Sequence, residues 1–220
     1  MLKRLIFTLT LVVSTFAVAQ DSTTPQWQLN AGYQYIRMDT GFVQDALNLA
    51  HDIDPSFPQV NFGRHQSMHG WNFGAQENIN SWLSGVVDVS GNYHTNRINV
   101  ATIGNIKDVV RTRLRLYTVM GGPQFTLRRS SHVEPFARML IGGAFSSASI
   151  NELENNVPLF AEDKVSDSGF AIGGGAGADL FFSKHVGLRV SADYIRTDLF
   201  SQPLNNFRGT AGLVFRFGSK

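Results

Sequence analysis

A histidine and a serine at alternate positions, His65 and Ser67, have the residue types and spacing for nucleophilic catalysis. A serine hydroxyl becomes a nucleophile when a nearby histidine accepts its proton, and a carboxylate such as that of Glu77 then orients the histidine. The three groups must lie within hydrogen-bond reach of one another. The strand pattern described below predicts that His65 and Ser67 lie in a long loop and that Glu77 lies near the far end of the next strand. We therefore expect no catalytic residue here.

Two further motifs suggest ligand binding but lack the residues that would complete a site. His65 and His69 have the spacing of a metal-binding pair on a helix. The flanking Gly63 and Gly70 argue against a helix, and no carboxylate lies nearby in the sequence. The run of glycines at 173–175 is not followed by the Lys-Ser or Lys-Thr of a phosphate-binding loop. The chain has no cysteine, which excludes disulfides and thiolate metal sites. We predict neither a metal nor a cofactor.

The elements that must position these residues are extended strands, because apolar and polar residues alternate over most of the chain. The alternation is clearest at 206–218, where aromatic and small apolar residues take every second position and Arg208 and Arg216 fall between them. Successive side chains of a strand point to opposite faces. The same pattern predicts strands at 26–37, 69–78, 83–93, 112–127, 133–145, 169–182, 186–196 and 206–218. We therefore predict an all-β fold.

The connections between these eight strands alternate between short and long. Short ones lie at 79–82, 128–132 and 183–185, and long ones at 38–68, 94–111, 146–168 and 197–205. Short turns at one end, long loops at the other and aromatic residues near both ends are typical of a barrel that is apolar outside and polar inside. A soluble sandwich would need a second sheet over the apolar face, and no such division is visible. We predict an eight-stranded antiparallel up-and-down transmembrane β-barrel.

The first 19 residues have the features of a cleaved signal peptide. Lys3 and Arg4 form a basic start, residues 5–18 are almost wholly apolar, and the small residues at 17–19 fit a cleavage site. We expect the mature chain to form one barrel domain over 20–220. Without Lys3 and Arg4 the basic residues fall from 19 to 17, which equals the 17 acidic ones. A neutral mature chain argues against a nucleic-acid partner.

The leader, the strand number, the alternating loops and the aromatic last strand together resemble the family of eight-stranded outer-membrane β-barrels, such as the OmpA transmembrane domain and OmpX. The resemblance covers residues 26–218 and implies a monomeric protein of the bacterial outer membrane, in contact with its lipid and lipopolysaccharide. In this family the barrel-assembly machinery is thought to read the final aromatic strand, and Leu213, Phe215 and Phe217 are the matching positions. The chain departs from the family by continuing past the last aromatic residue with residues 218–220.

The interior of such a barrel is about filled by side chains. Its face is predicted to carry charges of both signs, namely Asp88, Glu134, Arg138, Asp179, Arg189, Asp193, Arg208 and Arg216. If 183–185 is a three-residue turn, Asp179 lies opposite Arg189 at the distance of an ion pair. Because unpaired charges would be costly there, we predict a mutually satisfied network that plugs the barrel. The alternative is a narrow pore for ions or small solutes, with glycines at 173, 175 and 177 leaving space beside Asp193.

Arg111, Arg113 and Arg115 share one face near the outer end of the fourth strand, because they occupy every second position. That face also carries Tyr117 and Val119, which predicts that the arginines project outward at the rim. There they would meet lipopolysaccharide phosphates, whose geometry suits the guanidinium group. The alternative is a bulge that turns the three arginines into the mouth of the barrel.

The function predicted from these features is a structural or surface-contact role, such as adhesion or recognition, without enzymatic activity. Long loops on a rigid scaffold often carry function, so 38–68 and 146–168 are the candidate contacts for an external ligand. The first of them is predicted to contain a short amphipathic helix at 43–51. An alternative is a lipid-modifying enzyme, since outer-membrane lipid A deacylases resemble this fold and use a His-x-Ser pair with a glutamate.

Overall fold

The computed structural model describes residues 24–55, 63–101, 107–128, 132–154, 157–158 and 163–219. Eight long strands follow one another along the chain: β1 (Pro25–Asp39), β2 (His65–Asn78), β3 (Leu83–Ala101), β4 (Lys107–Thr126), β5 (Val133–Glu154), β6 (Asp163–Phe181), β7 (Val186–Leu199) and β8 (Gln202–Ser219). Helix α1 (Gly41–Ile53) lies between β1 and β2, and a two-residue strand, Val157–Pro158, pairs with the end of β5. The predicted signal peptide, 1–19, lies outside the described residues.

The sheet is closed, because every long strand pairs antiparallel with its neighbours along the chain and β1 also pairs with β8. In the closing pair, Trp27 lies opposite Phe217 and Tyr35 opposite Gly209. Closure removes the free edges of the sheet, which a bilayer would leave without hydrogen-bond partners. The prediction of an eight-stranded antiparallel up-and-down barrel is confirmed.

Burial follows the two-residue alternation along each strand. Leu213 is 46% exposed on the outer surface, whereas the next residue, Val214, is fully buried inside the barrel. Phe73 and Asn72 differ in the same way on β2, with exposures of 43% and 4%. The outward side chains are apolar and exposed over most of the strand length, which is the arrangement of a barrel surrounded by lipid. Among the described residues, no helix is long and apolar enough to cross a membrane.

All four predicted long connections are shorter than expected, because the strands continue beyond the apolar belt. β3 runs to Ala101 and β4 begins at Lys107, which removes most of the predicted loop 94–111. β5 runs to Glu154 and β6 begins at Asp163, which does the same for 146–168. The alternation of apolar outward residues with polar inward ones ends where the strands leave the bilayer. The backbone pairing between the strands continues beyond that point. The predicted boundaries were therefore wrong at this end.

The predicted long loop 197–205 is instead a two-residue turn formed by Phe200 and Ser201, since Leu199 pairs with Gln202. Both turn residues have positive φ, 55° and 58°. This is the backbone of a tight hairpin turn, which usually contains glycine or asparagine. Phe200 is held by stacking on Phe42, with the rings 6.0 Å apart, and its backbone N–H donates to Asp167 Oδ2.

The first long connection contains the predicted helix, although α1 is longer than 43–51 and begins at Gly41. Residues 56–62 of this connection lie outside the described part of the chain. β2 begins at His65, four residues before the predicted start. His65 and Ser67 were expected in the loop, and this expectation was wrong. They lie on β2 because β1 continues to Asp39 and pairs with them.

Candidate functional site

The barrel interior consists of two layers, one polar and one apolar. One end of the barrel holds Pro25, where β1 begins, and Ser219, where β8 ends; we call it the turn end. The opposite end holds α1, and we call it the loop end. The layer toward the turn end contains buried amides, hydroxyls and charged groups. The part toward the loop end holds most of a cluster of buried apolar side chains, together with buried polar groups such as Gln66, Thr197 and Asn206.

A cluster of two carboxylates and two guanidinium groups lies at the centre of the polar layer. Arg138 donates to both oxygens of Asp193, over 2.9 and 2.8 Å. Arg208 is fully buried and donates to Asp193 over 3.0 Å and to Asp88 over 2.7 Å. The Asp88 Oδ2 atom also accepts from Arg138 over 3.4 Å. The charges of the cluster cancel, and two-pronged arginine pairs of this kind are strong and directional.

A second ion pair lies closer to the turn end, where Arg189 donates to both oxygens of Asp179 over 2.6 Å. The two residues are directly opposite each other on β7 and β6. The remaining Arg189 hydrogen atoms reach amide oxygens of Asn30, Gln28 and Gln76 on β1 and β2, over 3.0 to 3.1 Å. This one guanidinium therefore links opposite walls of the barrel.

A third group closes the turn end of the barrel. Arg216 donates to Glu134 over 2.8 Å and lies over the ring of Phe181 at 3.7 Å from its centroid. Arg128 lies 3.3 Å from the other Glu134 oxygen. Burial lowers the pKa of the Arg128 guanidinium, and the Glu134 charge opposes this shift.

Two residues of the polar layer were missed by the sequence reasoning. Arg128 was expected in a turn, at 128–132, and nothing in its spacing indicates that it folds back over the barrel end. Phe136 is inward and buried, and the Arg189 guanidinium carbon lies 4.8 Å from the centroid of its ring. An aromatic residue on the inward face departs from the pattern in which apolar residues face outward and polar ones face inward. Phe136 lies two positions from both Glu134 and Arg138, so the two-residue period of the strand places it on the same inward face.

The apolar layer at the loop end was also missed, because the interior was expected to be polar throughout. The cluster consists of Ile36, Met38, Met68, Val86, Leu116, Met120, Leu140, Ala144, Ala171, Ile195, Leu199 and Leu204. It reaches into the polar layer, because Val86 lies only three residues from the start of β3 at the turn end and pairs with Gln76. Phe42, Leu114 and Phe200 pack against it. The signal is an inversion of the pattern on β7, where Arg196 and Asp198 are exposed and Ile195 and Leu199 are buried. At this end of β7 the apolar side chains therefore face inward and the charged ones face outward.

The glycine-rich part of β6 lies close against β7. A Cβ atom on Gly175 would overlap the backbone oxygen of Ala192 and the Asp193 carboxylate. The glycines allow close approach of the strands, which corrects the expectation of free space beside Asp193. A void of about 10 Å³ borders Asn30 and Arg189 within the polar layer. A space of this size holds about one water molecule.

Arg113 and Arg115 lie on the outward face of β4, since the alternate residue Leu116 is buried inside and Arg115 is exposed. They adjoin Tyr117 and Val119 on the same face, without a bulge in the register with β5. The side chain of Arg111 lies outside the described residues, although its backbone pairs within the same strand. The structure thus places two of the three predicted arginines on the outward face, within β4 and not at the rim, because the strand continues to Lys107.

The residues considered for catalysis are not assembled into a triad. The Ser67 hydroxyl bonds that of Tyr35 over 2.9 Å, and His65 Nδ1 lies 3.4 Å from Arg37. Glu77 pairs with Trp27 at the other end of β2. In the described part of the chain, no group of three or more His, Asp or Glu side chains is placed to hold a metal ion.

The last strand presents its aromatic residues to the outside. Leu213, Phe215 and Phe217 are exposed by 46%, 44% and 46% on the outer wall of β8. Their backbone pairs with β1, so that the last strand closes the barrel against the first. A row of apolar side chains is therefore accessible from the bilayer on the strand that the sequence reasoning identified as an assembly signal.

Comparisons with known proteins agree with this architecture. A model of the outer membrane protein beta-barrel domain matches residues 6–217, and no curated protein matches the chain. The fold is similar to that of Ail, the attachment invasion locus protein of Yersinia pestis, solved with the heparin analogue sucrose octasulfate. The identity is 15%, the TM-score is 0.55, and the match covers 88% of this chain and 99% of Ail.

Neisserial surface protein A has a similar fold at 11% identity and a TM-score of 0.56, covering 87% of this chain and 97% of that protein. Likeness at these identities concerns the fold alone. The family match extends over nearly the whole chain and agrees with the closed sheet, the apolar outer wall and the charged interior described above. The chain belongs to the outer-membrane protein β-barrel domain family.

Proposed function

We propose that this protein is a closed, non-conducting and non-enzymatic barrel of the bacterial outer membrane that serves as a structural and surface-contact protein. The observation that supports this most strongly is the filled interior, in which the described buried carboxylates are paired with arginines and an apolar cluster lies toward the loop end. In this proposal residues 1–19 direct export and are removed. The barrel-assembly machinery then recognises Leu213, Phe215 and Phe217, and the loop end faces outward.

The interior charges favour a plug over an ion path. Within the described residues, each buried carboxylate of the polar layer contacts at least one arginine, and the central cluster shares two of each. A permeating ion would have to break these pairs in a low-dielectric space, which costs several kcal/mol (~3–5). It would then have to pass between the packed side chains of the apolar cluster. Both barriers oppose conduction.

A contact role is supported by the loop end. α1 exposes Leu49 and Ile53, at 58% and 77%, and the extended ends of β3 to β6 continue beyond the apolar belt. Arg64 and Asp45 join α1 to the start of β2 through an ion pair of 3.0 Å. The regions 38–68 and 146–168 thus form an ordered platform in their described parts. An ordered platform suits recognition of an external ligand, because little entropy is lost on binding.

The test of this function is a planar-bilayer recording on the purified full-length protein, with a general porin as positive control. We expect no stable conductance above that of the empty bilayer, because both interior layers block the path. Lipid A mass spectra of cells with and without the protein are expected to be identical. A large and stable open conductance would overturn the plugged barrel, and a protein-dependent loss of an acyl chain would overturn the non-enzymatic assignment.

A further inference from the structure

The outer wall of the barrel has a groove near the loop end, between β4, β5 and β6. Its volume is about 380 Å³, and it is open to the outside. The residues that line it are Tyr117, Phe145, Ser146, Ser147, Ser166, Asp167 and Ser168. We call it the serine groove, because four of its seven lining residues are serines.

The register of the strands shows how the groove is arranged. Tyr117, Phe145 and Ser168 form one row across β4, β5 and β6, and Arg115, Ser147 and Ser166 form the next row toward the loop end. Arg113 lies one row further, opposite Ser149. The groove therefore has aromatic residues on the side of the bilayer centre, and Arg115 and Arg113 lie on the same outer wall in the next two rows toward the loop end.

The order of side chains matches the layers of a membrane leaflet. Below the groove, Val119, Ile141 and Ile172 are exposed apolar residues at the level of acyl chains. Aromatic residues such as Tyr117 and Phe145 take the level between hydrocarbon and headgroups. Arginine just beyond this level meets the headgroup phosphates, and its planar fork binds a phosphate through two hydrogen bonds.

We propose that the serine groove binds one phosphate-bearing lipid of the outer leaflet, whose phosphate contacts Arg113 and Arg115. Its acyl chain lies along Tyr117 and Phe145, and its sugar or glycerol hydroxyls contact the serines. Asp167 also borders the groove, but its carboxylate accepts the Phe200 backbone N–H and is turned toward the β7–β8 turn. This inference rests on the proposed function only in taking the loop end to face outward.

Binding of diphosphoryl lipid A to the full-length protein in mixed micelles tests the proposal, with native mass spectrometry as the readout. The variant R113Q/R115Q is expected to bind at least about tenfold more weakly, since each charge-assisted hydrogen bond contributes roughly one decade of affinity. The matched control R37Q/R196Q removes two other outward arginines near the loop end and is expected to stay within about twofold. The variant S166W keeps both groove arginines but fills the groove, and we expect it to lose at least about fivefold.

Two further ligands show whether the arginines bind the phosphate of a lipid or free phosphate. Dephosphorylated lipid A is expected to bind the wild type as weakly as diphosphoryl lipid A binds R113Q/R115Q, and inorganic phosphate is expected not to displace the lipid. Equal loss in the groove and control variants would indicate general charge attraction and overturn the site. Displacement by inorganic phosphate alone would overturn the lipid assignment. A barrel that conducts ions yet shows the expected binding would defeat the proposed function and leave the groove intact.

Discussion

Replacing Arg208 by methionine is expected to lower the free energy of unfolding by about 3–5 kcal/mol, the usual cost of removing one partner from a buried ion pair. Arg208 is fully buried and contacts both Asp88 and Asp193. Methionine fills a similar volume but leaves two carboxylates to share Arg138. The loss is measured by urea unfolding in lipid vesicles, followed by tryptophan fluorescence and by the mobility difference between unheated and boiled protein.

The matched control is R196M, which changes an exposed arginine on the neighbouring strand and is expected to cost about 0–1 kcal/mol. A second variant tests the charge balance. In R208M/D88N the amide keeps an acceptor for Asn72 and Arg138, so we expect recovery of about 1 kcal/mol or more. If R208M unfolded like R196M, the interior would be hydrated and the charged plug would be wrong.

Replacing Leu213 by arginine is expected to cost about 2–4 kcal/mol, because this charge would lie near the middle of the bilayer. Leu213 lies in one row with Ala31 and Phe73 on the lipid-facing wall, between the aromatic residues near the two ends of β8. The matched control is N205R, on the same strand and face but near the loop end. It is expected to cost about 0–1 kcal/mol, since charges near the interface are solvated.

This pair of variants is compared by the same unfolding measurement in vesicles. An arginine destabilises a lipid-facing wall more near the middle of the bilayer than near its edge, whereas on a water-exposed wall the two positions would lose similar amounts of unfolding free energy. Equal effects of L213R and N205R would place both residues in the same medium and contradict the membrane-spanning assignment of β8.

The lipid-facing part of the fold could be predicted from the sequence, because the bilayer imposes a strict rule on every strand. Outward residues there are apolar, so the alternation survives in each segment and fixes strand number and parity. The parity of Asp179 and Arg189 follows from the short turn between β6 and β7, and the structure places the two opposite each other. Because this rule applies to each strand position separately, the strands and their faces can be predicted from the sequence without knowing which distant residues come into contact.

The loop end could not be predicted in the same way, because the outward residues are apolar within the bilayer but charged or polar where water surrounds the strands, and the change occurs within single strands. Where β7 leaves the bilayer, exposed Arg196 and buried Ile195 invert the earlier pattern. The inversion hides the true strand end and the apolar inner layer. The turn at Phe200 and Ser201 lacks the glycine or asparagine that indicates such turns. Its stability comes from Phe42, a distant residue that only the folded structure brings close.

The most direct test of the central claim, that apolar side chains face lipid while polar ones fill a closed tube, is a spin-label scan along β8. The chain contains no cysteine, so single-cysteine variants over 205–217 each carry one label. In lipid vesicles we expect oxygen accessibility with a period of two, high at Phe207, Ala211, Leu213 and Phe215 and low at Asn206, Arg208, Gly212 and Val214. A profile without this period, or one with its maxima at the second set of positions, would contradict the account.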